Sequence, residues 1–441
     1  MRDSSVSINN YLLANRFQVV LNPMDDDGPG FLSKAMAPFL VLFSGQAFSL
    51  FGSRLVQFAL VWYLTEQTKS PTVLATASIA ALLPQVFIGP FAGALVDRWN
   101  RKTVMMVADT LVALSVLVLA FIFTTGRIEV WHIYAVMMFR AAGGAFQWPA
   151  MQASTSMMVP KKHLSRVAGL NQSLSGLVAV SAPPAGALLL EFISIEWVLA
   201  IDIATAILAV GPLLFISIPQ PEHKGGPASG VLADMKEGFT WVLSQQGLLI
   251  IMIMSLFINL FTTPTFTMLP LLITEVLQGG AIELAWIQSA NGLGMILGGL
   301  LLGVWGGFKS KVNTSFAGLF LASIGLLLFS QTPPNMLWMG VASIFVFGFT
   351  NSIANSSFFS LLQAMIPHEM QGRVFTLIMS TSVAVSPLGL AIAGPVVEVT
   401  GLRFWFVISG FAFMAGSAVL IFVPQVRKLE EAWETALEDS E

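Results

Sequence analysis

Apolar residues gather in twelve stretches, at about 37–64, 71–96, 103–124, 130–154, 167–190, 195–218, 243–276, 281–306, 313–330, 336–364, 374–398 and 402–424, separated by short polar joints. Hydrocarbon about 30 Å thick needs about 20 mostly apolar residues per helical crossing. Each stretch meets that length, so the pattern predicts twelve transmembrane helices. Only 10% of the 441 residues are charged and 55% are apolar. An ordinary soluble domain has about 25% charged residues, so a soluble fold is excluded.

The ends of the chain read differently. Residues 1–36 are polar and include the run Asp25, Asp26, Asp27, Gly28, Pro29, Gly30. They predict a cytosolic tail with a short helix around Tyr11 to Val20, because a signal peptide would pass directly from charge to an apolar core. Residues 425–441 predict a second, acidic cytosolic tail. With the amino terminus inside, inner segments hold 16 of the Lys and Arg residues and outer joints hold three, Lys69, Arg127 and Arg403. Basic residues stay on the cytoplasmic side, so both termini are expected there, in a cell (inner, cytoplasmic) membrane.

The second half of the chain echoes the first. Pro160, Arg166, Val167 and Glu191 recur 207 positions later as Pro367, Arg373, Val374 and Glu398, while Gly89 and Gly93 recur at 210 as Gly299 and Gly303. The expected organisation is a six-helix bundle over 37–218, a linker over 219–242 and a second bundle over 243–424. Pro219, Pro221, Gly225, Gly226 and Pro227 break the linker, and Leu232, Met235, Phe239 and Val242 then follow an amphipathic spacing. Two parallel six-helix repeats are the arrangement of secondary transporters, which bind cargo near the bilayer midplane and rock their halves to expose it alternately.

Few groups could do other chemistry. The chain has no cysteine, and His132, His163, His223 and His368 show no ligand spacing, so neither a metal site nor a cofactor is expected. No phosphate-binding loop or nucleophile motif appears, which argues against an enzyme. The net charge of −3 gives no reason to expect nucleic acid.

After the second stretch the chain reads Gly93-Ala94-Leu95-Val96-Asp97-Arg98-Trp99-Asn100-Arg101-Lys102. This resembles the G-x-x-x-D-R-x-x-R-[RK] loop of the major facilitator superfamily. Gly89 and Gly93 are expected to let two helices approach closely. Asp97 needs a cationic partner, and Arg373 is the expected one when the cytoplasmic side closes. Gly45-Gln46-Ala47-Phe48-Ser49, Tyr63-Leu64-Thr65-Glu66, and Arg140 through Pro149-Ala150-Met151-Gln152-Ala153 resemble the drug-proton antiporter branch that contains macrolide efflux proteins. So does Val159-Pro160 through Arg166-Val167-Ala168-Gly169-Leu170-Asn171-Gln172, and the resemblance spans about residues 37–424. Pro183-Pro184-Ala185-Gly186-Ala187 is similar to a degenerate G-P-x-x-G-G antiporter signature, where the two halves are expected to pack and pivot.

Charges inside the spans mark the candidate site. Arg54 and Arg140 lie about ten residues from predicted outer ends, about 15 Å deep. Such cations must face a wet cavity or an anion. Gln46, Ser53, Arg54 and Gln57 share one helix face. The resemblance implies a role for Arg140 in proton coupling or cargo binding. Asn259, Asn291, Asn351 and Asn355 are the expected polar groups of the second half's cavity face. Asp202, Glu66 and Asp109 are the candidate proton carriers. Two buried cations would repel a cationic drug. The resemblance implies a monomeric exporter of amphiphilic small molecules in exchange for protons. Lysophospholipid or anionic siderophore transport, and an uncoupled scramblase or membrane sensor, are the alternatives.

Overall fold

The computed structural model describes residues 36–220, 239–366 and 368–426. Twelve helices of twenty or more residues run through them: α1 (Ala37–Thr68), α2 (Pro71–Arg98), α3 (Arg101–Thr124), α4 (Val130–Met158), α5 (Leu164–Phe192), α6 (Ile195–Phe215), α7 (Gln246–Thr267), α8 (Ala281–Trp305), α9 (Lys311–Ser330), α10 (Leu337–Met365), α11 (His368–Thr400) and α12 (Leu402–Phe422). Eleven are long and apolar enough to cross a membrane. The remaining one, α4, carries Arg140, Gln147 and Gln152, and its polar side chains serve the site described below.

Local sequence sets the breaks. Lys69 ends α1 in the left-handed region at φ 48°, and Ser70 then caps α2 by accepting from the Val73 N–H, with Pro71 in the first turn. Asn100 caps α3 and Ser310 caps α9 in the same way. These side chains satisfy amides that a helix start leaves without partners. The seventh span continues past α7 through Leu269–Leu271 into a π-helical turn at Leu272–Val276.

Helices α1–α6 form one bundle, with α1 on α5 and α6, and α4 between α2 and α3. Helices α7–α12 form the other, with α10 on α8 and α9, and α12 on α7 and α9. The bundles meet along α2 against α11 and α5 against α8. At the end holding Lys69 they share one buried core, in which Leu64 and Leu74 join Leu271, Ile273, Leu284 and Leu390. At the opposite end the cores are separate: Leu42, Val96, Met105, Ala150 and Leu213 belong to the first bundle, while Val312, Leu361, Val374 and Leu420 belong to the second.

Several expectations about packing change here. A Cβ on Gly89 or Gly93 would meet nothing within 4 Å, so these glycines face open space and close no helix contact in this state. They lie toward the end where the bundles keep separate cores. Gly186 packs on α1, where its Cβ would come within 2.9 Å of the Phe58 ring. At Gly186 the motif thus packs on a helix of its own bundle, while Pro183 faces the chamber between the bundles. One turn earlier α5 meets the second bundle directly, where the Val180 carbonyl accepts from Ser289 at 2.8 Å. The side chains of Asp97 and Arg373, and the linker residues Leu232 and Met235, lie outside the described parts.

Candidate functional site

The site begins with close contact between α1 and α6. A Cβ on Gly45 would come within 2.7 Å of the Leu208 carbonyl, and one on Gly52 within 2.2 Å of Thr205 Oγ1 and 3.2 Å of Asp202 Oδ1. Only glycine permits that approach. It brings Ser53, on α1, to Asp202, on α6, with the Ser53 hydroxyl donating to Oδ1 at 3.2 Å. Arg140, reaching from α4, donates to the other Asp202 oxygen and also to the Ser53 carbonyl at 3.0 Å. The Arg140 and Asp202 side chains are 10% and 4% exposed, so this is a buried ion pair tying three helices together.

A second polar group sits beside it. Gln46 donates its Nε2 to Asp109 Oδ2, on α3, at 3.1 Å, while its Oε1 accepts from Gln147, on α4. Asp109 has no salt bridge among the described residues. Gln46, Asp109, Arg140 and Gln147 line a chamber of about 420 Å³ inside the first bundle, together with Arg54, Gln57 and Gln85.

That chamber shares Leu50, Arg54 and Gln57 with a larger one of about 670 Å³ between the bundles. The larger chamber is walled by Phe58, Val61, Leu74 and Val178 from the first bundle and by Thr262, Thr263, Phe266, Thr267 and Gln288 from the second. The expected asparagines lie elsewhere. Asn259, Asn351 and Asn355 line a separate pocket of about 70 Å³ inside the second bundle. Asn259 donates to its own helix at the Ser255 carbonyl, 2.9 Å away, and Asn355 to Asn351. Asn291 packs against α10, where a Cβ on Gly348 would fall 2.3 Å from its carbonyl. The second bundle faces the larger chamber with threonines and Gln288 instead. Sequence gave no signal for these, because uncharged polar residues occur all around such helices.

The remaining candidates sit at the two ends. Glu66 joins Glu191 and Glu283 around a pocket of about 500 Å³ at the Lys69 end. There Lys69 pairs with Glu275 at 3.2 Å and Ser70 donates to Glu398 at 3.3 Å, across the bundles. Thr267 and Ser78 hydrogen-bond at 3.3 Å, also across them. At the other end Arg98 is exposed, while Arg101 donates to the Ala153 carbonyl at 3.0 Å and Lys102 to the Leu214 carbonyl at 3.2 Å. These basic residues bind the ends of α4 and α6, within one bundle. Pro183 lines the larger chamber and Pro184 follows it inside α5.

Known proteins place this architecture. The solved nucleoside transporter NupG aligns with a TM-score of 0.66 at 16% identity, over 88% of this chain and 98% of that one. A D-xylose-proton symporter aligns with a TM-score of 0.66 at 12% identity, over 88% and 98%. At these identities the likeness concerns the fold. Macrolide efflux protein A of Streptococcus pyogenes is 29% identical over 393 residues, covering 89% of this chain and 97% of that protein. The multidrug efflux pump Tap of Mycolicibacterium fortuitum is 27% identical over 401 residues, covering 86% and 94%. The family profile matches residues 42–389, and with two six-helix bundles enclosing a shared cavity, the chain belongs to the Major Facilitator Superfamily of membrane transporters.

Proposed function

We propose that this protein exports amphiphilic small molecules across the cell membrane by proton antiport and alternating access. The observation that carries the reading is the position of the cavity. It lies between bundles that share a core at one end and keep separate cores at the other. The 16-to-3 distribution of basic residues supports a cytoplasmic position for the separated end and both termini. Cargo then enters from the cytoplasm, and rocking of the bundles opens the Lys69 end to release it. The bundles span 37–218 and 243–424, joined by the linker 219–242, and the protein works as a monomer. The names of the efflux relatives support an outward direction and a drug-like cargo.

Two carboxylates within the spans divide the work. Asp202 is engaged by the Arg140 guanidinium and the Ser53 hydroxyl, and it holds α1, α4 and α6 in register. Asp109 has an amide partner, Gln46, and faces the chamber. A carboxylate that is not committed to a cation can exchange a proton with cavity water without dismantling the bundle. Asp109 therefore releases its proton to the cytoplasm as cargo enters, and takes one up from the far side after cargo leaves. Glu66 lies away from this chamber, at the Lys69 end.

The test is ligand-induced proton flux in proteoliposomes under an imposed pH gradient, with a macrolide, a cationic dye, a lysophospholipid and a catecholate siderophore as cargo. Wild type should show saturable, cargo-dependent flux. Asp109→Asn should bind cargo and exchange it down its own gradient while losing the response to pH. Cargo movement indifferent to the proton gradient in wild type would refute antiport.

A further inference from the structure

We infer that the cargo site is built for an amphiphile bearing an anionic group, and that Arg54 recognises that group. The inference rests on the cavity being the cargo site. Arg54 stands on the wall common to the two chambers, and its side chain is exposed to that space. It makes no hydrogen bond or ion pair with any described residue. Arg140 also lines the smaller chamber, but its side chain is nearly buried and its charge is matched by Asp202. Asp109 lines the same smaller chamber as Arg54; it accepts a hydrogen bond from the neutral Gln46 amide and makes no ion pair with Arg54. One guanidinium, charged at every working pH and carrying five forked donors, is thus left facing the cavity.

A cation without a direct partner at this depth needs water or an anion. The shape of the space indicates which part of a cargo meets it. The larger chamber beyond Arg54 offers Phe58, Val61, Leu74, Val178 and Phe266 to an apolar body, with Thr262, Thr263, Thr267 and Gln288 beside them. The smaller chamber mixes Leu82, Val112 and Met137 with Gln46, Gln85 and Gln147. A cargo whose apolar body fills the space between the bundles therefore brings its head to Arg54. A carboxylate, sulfonate or phosphate there makes the forked, charge-assisted bonds that this side chain favours. A cationic head at the same place meets a guanidinium that makes no ion pair with any described residue.

The experiment uses two fluorescent probes with one tail: dansylamino-undecanoate, and the same dansyl-alkyl chain ending in trimethylammonium. Full-length protein in phosphatidylcholine nanodiscs is titrated with each, and empty nanodiscs are subtracted. Wild type should bind the carboxylate about ten- to a hundredfold more tightly, the range expected for hydrogen bonds to a charged group. Arg54→Gln should abolish the preference while leaving ammonium binding equal or tighter. Arg54→Lys should keep part of it, because the charge remains and the fork is lost. If the glutamine variant does not fold, the lysine variant decides: carboxylate affinity must fall severalfold with ammonium affinity unchanged. Equal binding of the two probes, a preference for ammonium, or equal loss of both on substitution would overturn the inference. Efflux from liposomes separates it from the export reading. A carboxylate held through Arg54 but never moved would sink export and leave the anion site standing. Proton-linked movement of the ammonium with no Arg54-dependent preference would do the reverse.

Discussion

The two ends of the cavity are built from the same kinds of residue and yet are packed differently. At the Lys69 end, leucines of both bundles share one core, and hydroxyl, carboxylate and ammonium groups bridge the seam. At the Gly89 end, each bundle is sealed by its own core, and the glycine face of α2 touches nothing. Lipid tails are as apolar as leucine, so burial alone favours neither arrangement strongly. The difference teaches that packing between the bundles varies from one end to the other, whereas each bundle keeps a closed interior of its own. The first bundle is pinned by the Arg140–Asp202–Ser53 junction, which ties α1, α4 and α6 together.

Breaking that junction should have the largest effect. Arg140→Ala leaves Asp202 buried and unpaired, a change that costs about 3–5 kcal/mol, so the melting temperature in detergent should fall and transport should cease. The neutral pair Arg140→Gln with Asp202→Asn should recover more stability than transport. Fixing one seam comes next. The chain has no cysteine, and Ser78 Oγ lies 3.3 Å from Thr267 Oγ1, so Ser78→Cys with Thr267→Cys should cross-link on oxidation. Transport should stop with the Lys69 end held shut and return on reduction. Filling the other seam follows. Gly89→Leu meets open space in this state, so melting should be unchanged. In the state that closes this end, overpacking costs about 1–3 kcal/mol, so transport should fall by about an order of magnitude. The smallest effect belongs to Lys69→Ala. Its pair with Glu275 is exposed, and such pairs contribute about 1 kcal/mol or less, so the transport rate should change only slightly and less still at high salt.

Legibility in the sequence follows the same divide. The helices were readable because hydrocarbon demands a minimum apolar length; the caps at Ser70, Asn100 and Ser310 emerge only in the structure. The site's charged residues stood out because a charge within a span is rare. The pairing did not: Arg140 and Asp202 are 62 positions apart, and nothing local says that α4 and α6 turn toward each other there. Gly45 and Gly52, which let α1 and α6 meet, look like ordinary small residues of a span. The four asparagines show the converse. They are polar and at suitable depth, but helix rotation sends three into a separate pocket and one into the α8–α10 contact. Gly89 and Gly93 belong to a recognisable loop signature, yet a sequence carries no record of which conformational state is on view.

The most direct measurement follows both ends in one protein. Spin labels on the exposed Trp99 and Phe308 positions span the Gly89 end, and labels on Thr125 and Gln331 span the Lys69 end. Distances are read in nanodiscs as pH and cargo are varied. Alternating access predicts that the two distances change in opposite directions, the first shortening as the second lengthens. Distances that stay fixed under every condition while cargo is still transported, or that lengthen together, would contradict it.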